Sequence, residues 1–345
     1  MKNIVILGGG TGTSTLLKGL KKYPANLSVV VSSWDDGGSN GRLRKELKAF
    51  PFSDIRQCLV ALGEEGYWKD FFSFRFNKGP LNGHTAANLF LAELERITKS
   101  VTEPINIAKQ LLNVKAQIYP ATLSPAVLSA VLENGKKIIG EHLIDCPQKG
   151  KFSRIKNLKL VATKPNPEAA KAILKADVLV LGPGDLFTSI LPNLLAPGLG
   201  EAVRKSKAKK VFVGNLMTKD GQTNGFKASD LVLEILSHVP NLDYAILNKK
   251  LPPKNILQKY RHDKSEMVAL DKEVLKSLDV YPVRSPMPFG IGSSDRSELT
   301  SNGVNIILED LLVSKEAKKV KGDILKRSFL RHNSEVLAKL IWQMV

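Results

Sequence analysis

The chain has 345 residues, 43% of them apolar and 24% charged, the balance of a globular protein with a core large enough for one big α/β domain or two lobes. Two cysteines without paired spacing, Cys58 and Cys146, exclude a disulfide framework and a thiolate zinc site, and no apolar run approaches the ~20 residues of a membrane span, so a cytoplasmic protein without a secretory leader is expected. The formal charge of +18 gathers partly in lysine runs at 205–210, 249–254 and 315–321, but these lack interleaved aromatics, so they read as solvated surface and nucleic acid is not an expected partner.

Residues 4–7 form a short apolar strand that runs straight into Gly8-Gly9-Gly10-Thr11-Gly12-Thr13-Ser14. Leu16, Leu17 and Leu20 follow at helical spacing, and residues 27–31 make a second apolar strand. That strand leads into Asp35-Asp36-Gly37-Gly38-Ser39-Asn40-Gly41-Arg42. The reading is β-loop-α-β with two glycine-rich loops at strand carboxyl ends, the rim where open parallel sheets bind ligands. Glycine lets a phosphate approach the backbone, and the helix that follows offers free N–H groups, so an anionic, nucleotide-type ligand is expected.

Residues 54–62 read as a helix capped by Ser53 or Asp54. The aromatics Trp68, Phe71, Phe72 and Phe76 fall on one helical face, as core or as a homodimer contact. Gly83-His84-Thr85 opens a helix over 86–97, with Asn88 one turn beyond His84, and another helix covers 105–112. The stretch 115–145 is expected to hold a small antiparallel insertion, because Asn134-Gly135 between two apolar runs is a hairpin signal.

Alternation then resumes: helix 167–175, strand 177–181, helix 199–206, strand 210–214, helix 229–237 and strand 244–247. That pattern implies right-handed βαβ units and a mostly parallel, Rossmann-like doubly wound sheet. Residues 252–305 read as irregular, with an insertion at about 265–305, and a helix over 333–344 closes the chain. Residues 1–330 are expected to form one α/β domain on which residues 331–345 pack.

Two further strand ends finish in small and polar residues, Gly182-Pro183-Gly184-Asp185-Leu186-Phe187-Thr188-Ser189 and Gly214-Asn215-Leu216-Met217-Thr218. Four such ends on one rim exceed what core packing requires. Asp35 and Asp36 are candidates for a Mg²⁺ site or for a proton acceptor, and the alternative is that one of them caps a turn. Arg42 and Arg44 are candidate phosphate contacts. The first loop is not a dinucleotide fingerprint, since Thr13 stands where a third glycine belongs, so NAD is not an expected cofactor. No metal-spaced histidine pair and no Gly-x-Ser-x-Gly elbow occurs.

Taken in order, these segments resemble the YvcK-like gluconeogenesis factors of the CofD-like superfamily. The resemblance rests on 8–12, 35–44, 54–62, Gly83-His84 with Asn88, 181–190 and 215–218. It implies a Rossmann-like fold that binds a UDP-sugar such as UDP-N-acetylglucosamine, and a regulatory role linking carbon metabolism to cell-wall synthesis and cell shape, with protein partners in that regulation. The transferase branch of the superfamily implies instead a Mg²⁺-dependent enzyme that moves a phospholactyl group from a nucleotide diphospho-donor to a deazaflavin. Carried over by position, the ligand-binding set is Gly8, Gly9, Gly10, Thr11, Gly12, Thr13, Gly37, Gly38, Ser39, Arg42, His84, Asn88, Gly182, Gly184, Thr188, Asn215 and Arg331. Asp35 or Asp36 would serve as metal or catalytic carboxylate. Asp185 stands where the family has serine, which adds a negative charge beside a presumed phosphate. Of two Arg-His segments, 261–263 and 331–333, the second opens the terminal helix and is expected to turn Arg331 toward the ligand.

Overall fold

A computed structural model describes residues 1–146, 153–162, 164–278, 303–313 and 329–345. Its first half runs β1 (Lys2–Gly8), α1 (Gly10–Leu20), β2 (Ala25–Val31), α2 (Gly38–Leu47), α3 (Ser53–Leu62), α4 (Tyr67–Ser73), α5 (Ala86–Thr98), α6 (Thr102–Leu111) and β3 (Gln117–Pro120). Next come β4 (Val127–Leu132), β5 (Lys137–Ile139), α7 (Glu141–Asp145) and β6 (Ile155–Val161). The second half carries α8 (Pro167–Leu174), β7 (Val178–Leu181), a π-type turn (Leu186–Ile190), α9 (Leu191–Leu195), α10 (Leu199–Lys205), β8 (Lys209–Val213), α11 (Ala228–Leu236) and β9 (Tyr244–Asn248). It ends with α12 (Lys254–His262), α13 (Lys272–Leu278), β10 (Asn305–Glu309) and α14 (Ser334–Gln343).

Seven strands pair in the order β10-β9-β8-β7-β1-β2-β3, every neighbour parallel. Side-chain alternation sorts the strands onto two cores. Val5, Leu7, Val30, Leu179, Leu181 and Phe212 face one layer; Ile4, Ile6, Val29, Val31, Val180 and Val211 face the other. Both faces are buried, as a parallel sheet requires. Chain order reverses between β1 and β7, so the loops after these two strands flank the topological switch point.

The hairpin forms as the Asn-Gly signal requires, with Gly135 at φ +80° between β4 and β5. A third strand, β6, pairs antiparallel with β4 and completes a separate three-stranded sheet. The insertion begins later than 115, because β3 belongs to the main sheet.

Three local expectations are corrected. The cap of α3 is Phe52, without a side-chain bond, since Ser53 and Asp54 are engaged elsewhere. Phe76 lies beyond α4 and stacks edge-on against Phe74, while Phe72 alone of the α4 aromatics is fully buried and Tyr67, Trp68, Phe71 and Phe74 are exposed. The stretch 252–305 is not irregular throughout: it holds α12 and α13 before residues 279–302, which lie outside the described residues.

The closing helix α14 is capped by Asn333, whose side chain accepts from the Glu335 and Val336 N–H groups. It lies against α1 so closely that a Cβ on Gly19 would fall 2.1 Å from the Ser334 carbonyl oxygen. Among the described residues no single helix is long and apolar enough to cross a membrane.

Candidate functional site

The two switch-point loops meet backbone to backbone at Gly12, where a Cβ would lie 2.5 Å from the Pro183 carbonyl oxygen, and within the first loop a Cβ on Gly8 would lie 2.3 Å from Thr13 Oγ1. Thr13 Oγ1 donates to the same Pro183 oxygen at 3.3 Å, which is why a hydroxyl rather than a third glycine suits this position. Asn215, at the end of β8, ties in the third strand end by donating from Nδ2 to the Gly184 carbonyl at 2.8 Å.

Two helices begin at this rim without side-chain caps. The N-cap of α1 is Gly9 and that of α2 is Gly37, and neither first turn carries an acidic residue of its own. The leading N–H groups and positive dipole ends of both helices point at the rim, the arrangement that favours negative charge, and the Asp54 carboxylate stands beside the start of α1. Gly10 at φ +65° and Gly38 at φ +49° adopt the left-handed backbone that admits glycine without strain.

Three buried amide oxygens have no partner among the described residues: Asn215 Oδ1 at the end of β8, Gln222 Oε1 further along the loop that leaves it, and Asn193 Oδ1 on α9. A buried acceptor left unpaired is costly, so each calls for a donor. Ligand hydroxyls or a base N–H supply donors; a bare phosphate does not.

The acidic residues take up distinct positions. Asp35 accepts from Gly37 N–H and from Asn40 Nδ2, both at 2.8 Å, and its carboxyl is pushed up to about 7 by burial and by the nearby Asp54 charge. Asp36 instead accepts from His142 N–H at 2.8 Å and so fastens α7 to the second loop. Asp54, read in the sequence only as a helix cap and as part of the 54–62 motif, receives Ser32 Oγ at 2.5 Å and Gln57 Nε2 at 3.1 Å, and lies 2.5 Å from where a Gly9 Cβ would stand. Glu141 is raised well above the usual carboxylate range by burial and by Asp35. No group of three or more His, Cys, Asp or Glu residues suited to hold a metal ion occurs among the described residues.

Other predicted residues make hydrogen bonds within the protein. His84 is buried with Nδ1 2.8 Å from Ser39 Oγ, bracing the start of α2, and burial together with Arg42 lowers its pKa. Thr85, not His84, caps α5. Asn88 joins α5 to α3 through Arg56 and Ser53. Arg42 donates to the Asn82 carbonyl, and Arg44 to the carbonyls of Trp34, Asp35 and Ala126. Thr11 Oγ1 leans on Gln57 at 3.5 Å. Arg331 donates to the Leu330 carbonyl, while its neighbour His332 meets the Gly214 carbonyl at 3.0 Å, so the histidine of that segment touches the β8 strand end.

The extra charge of Asp185 is paired with a lysine that it shares with a second carboxylate. Lys219 binds Asp185 Oδ2 at 2.5 Å and also pairs with Asp145 on α7, to which Gln222 Nε2 donates at 3.2 Å and Thr188 Oγ1 at 3.4 Å. Burial lowers the lysine's affinity for its proton, but the two carboxylates together raise it well above the ordinary value. This link joins the small sheet to the loops after β7 and β8.

The geometry agrees with what the chain is similar to. Residues 4–287 match the family model described as 2-phospho-L-lactate transferase CofD. The gluconeogenesis factor of Halalkalibacterium halodurans is 42% identical over 285 residues, covering 81% of this chain and 87% of that protein. The gluconeogenesis factor of Bacillus subtilis is 41% identical over 287 residues, 81% of this chain and 89% of its own. A crystal structure of a UPF0052-family protein from Bacillus halodurans, solved at 2.60 Å, superposes with a TM-score of 0.84 at 36% identity, covering 99% of this chain and 100% of that one. With most of its length matched by that model and by these relatives, the chain belongs to the gluconeogenesis factor family of CofD-like proteins.

Proposed function

We propose that the protein binds a UDP-sugar, such as UDP-N-acetylglucosamine, as a regulator that links carbon metabolism to cell-wall synthesis and cell shape. The observation that carries this is the switch-point crevice, where two glycine-led helix N-termini share a rim with Asn215, whose buried amide oxygen needs a donor. Helix ends suit a diphosphate, and acceptors suit sugar hydroxyls or a base N–H. The crevice also holds carboxylates, so a diphosphate entering it needs countercharge. Mg²⁺ carried with the ligand requires only one or two protein carboxylates, and Asp35 is the candidate. Protein partners in cell-wall regulation would then read the ligand-bound state.

Calorimetric titration with UDP-N-acetylglucosamine, with and without Mg²⁺ and against GDP and NAD, tests this reading. Selective micromolar binding of the UDP-sugar is the expected result, and its absence at millimolar ligand overturns it.

One observation favours a second reading, a transferase of the CofD type. A carboxyl whose pKa lies at about 7 is poised to exchange a proton at neutral pH, and Asp35 has that property at the rim. Preference for GDP with Mg²⁺, followed by transfer to a deazaflavin acceptor, is the outcome this reading requires.

A further inference from the structure

The loop that leaves β8 has two sides. Asn215 and Lys219 serve the crevice, and the far end of the same loop walls a second pocket of about 370 Å³. Its lining is Thr218, Asn224, Gly225, Arg261, Lys264 and Glu266. That volume falls at the lower end of small-ligand sites, ~300–1,000 Å³.

Each wall is fixed by backbone bonds. Thr218 N–H donates to the Glu266 carbonyl at 2.7 Å, and Glu266 N–H returns a bond to Thr218 Oγ1 at 2.9 Å. Asn224 Oδ1 accepts from Gly221 N–H at 2.7 Å, which holds the turn that brings Gly225 to φ +73°. On the third side α12 ends in a turn that presents Arg261 and, at φ +52°, Lys264.

The charges on this frame are uncommitted. Among the described residues the side chains of Arg261, Lys264 and Glu266 make no ion pair or hydrogen bond, whereas Lys219, one residue beyond Thr218, is held by two carboxylates. Arg154, stacked over Phe226 at 5.4 Å, adds a further positive charge near Gly225. Two cations beside one carboxylate on a fixed polar frame complement a molecule with an anionic group at one end and hydroxyl donors at the other.

We propose that this pocket is a second ligand site, separate from the crevice, for a small phosphorylated polyol. The phosphoryl oxygens lie between Arg261 and Lys264, and a hydroxyl donates to Glu266. The site does not depend on what the crevice binds.

Titration of the full chain with glycerol 3-phosphate, and with inorganic phosphate alone, tests the assignment. Saturable binding of glycerol 3-phosphate is expected, weakened about tenfold or more by Arg261→Gln and by Lys264→Gln, the loss that follows removal of one charge-assisted hydrogen bond. Glu266→Gln is expected to reduce the advantage of the ester over inorganic phosphate. All three side chains are on the surface, so unchanged thermal unfolding keeps the variants interpretable. Binding that survives both basic substitutions overturns the site. So does the absence of saturable binding, or competition by UDP-N-acetylglucosamine or GDP that places the ester in the crevice.

Discussion

Removing the lysine that joins Asp145 to Asp185 is the sharpest test of how the rim is held. Lys219→Gln keeps side-chain length and a hydrogen-bonding amide but deletes the charge. The lysine side chain is 31% exposed and its partners 25% and 37%. Loss of one member of a fully buried pair costs about 3–5 kcal/mol, whereas exposed pairs contribute ~0–1 kcal/mol. At about one-third exposure the expectation lies between, at roughly 2 kcal/mol. The sign of its pH dependence follows from the two carboxylates. Burial pushes Asp145 up, but Lys219, with hydrogen bonds from Cys146 and Asp185, leaves the net shift downward; burial leaves Asp185 raised even with the lysine present. Without Lys219 both carboxyls sit above their unfolded values, so the variant loses stability as pH rises through those raised pKa values and recovers as pH falls. Urea denaturation at pH 7.5 and pH 4.5 should show a deficit that is larger at the higher pH. Asp185→Asn in the Lys219→Gln background should restore part of it. A deficit that is negligible at pH 7.5, or that grows on acidification, refutes the argument.

Gly12→Ala gains ~1 kcal/mol of helix propensity but drives a methyl into the Pro183 backbone, and overpacking of about 1–3 kcal/mol should dominate, read as a lowered Tm. Trp34→Phe leaves the Thr188 carbonyl without its indole donor at 2.7 Å in a buried site and should cost about 1–3 kcal/mol in urea denaturation. Asp35 has a folded pKa of about 7, above its unfolded value, so its contribution falls as pH rises from about 4 to 7; Asp35→Asn should flatten that part of the stability profile measured by denaturant titration. His332 is lowered to about 4 by burial, so it opposes Asp35: stability should fall as pH drops from about 6.5 to 4, and His332→Gln should remove that slope.

Much of the fold was legible because its signals are local. Apolar strands closed by glycine runs identify β1, β2 and β7 without any tertiary information, and Asn134-Gly135 places the hairpin at its own turn. Helix α2 was not legible: its ten residues, Gly38–Leu47, bury only Ser39, Asn40 and Leu43. Its order comes from Asp35, His84 and Asn82, each a partner outside the helix, which meet Asn40, Ser39 and Arg42 within it. Strand β6 was missed for a related reason. It pairs at the edge of a small sheet with half its side chains exposed, so its apolar content is too thin to announce a strand.

The site divides along the same line. Glycines declare themselves because tight turns and close approach exclude side chains: a Cβ on Gly12 would meet the Pro183 backbone of the opposing loop, and one on Gly8 or Gly184 would crowd Thr13 or Ser189 of its own loop. Charge partnerships carry no such mark. Lys219 meets Asp185 across 34 residues and Asp145 across 74, so Asp185 read as a lone negative charge until the fold supplied its cation. The paired aspartates show the converse case. Adjacent in sequence, Asp35 and Asp36 suggested one metal-binding unit, but the backbone sends them apart, Asp35 to its own turn and Asp36 to α7. Asp35 feels the charge of Asp54, on α3, more strongly than that of Asp36. Adjacency along the chain is therefore a poor guide to which carboxylates act together at this rim, and a mutational study should pair Asp35 with Asp54 before pairing it with Asp36. If the two carboxyls are coupled, Asp54→Asn should lower the pKa of Asp35, and an unmoved Asp35 titration by carboxyl NMR would refute the pairing.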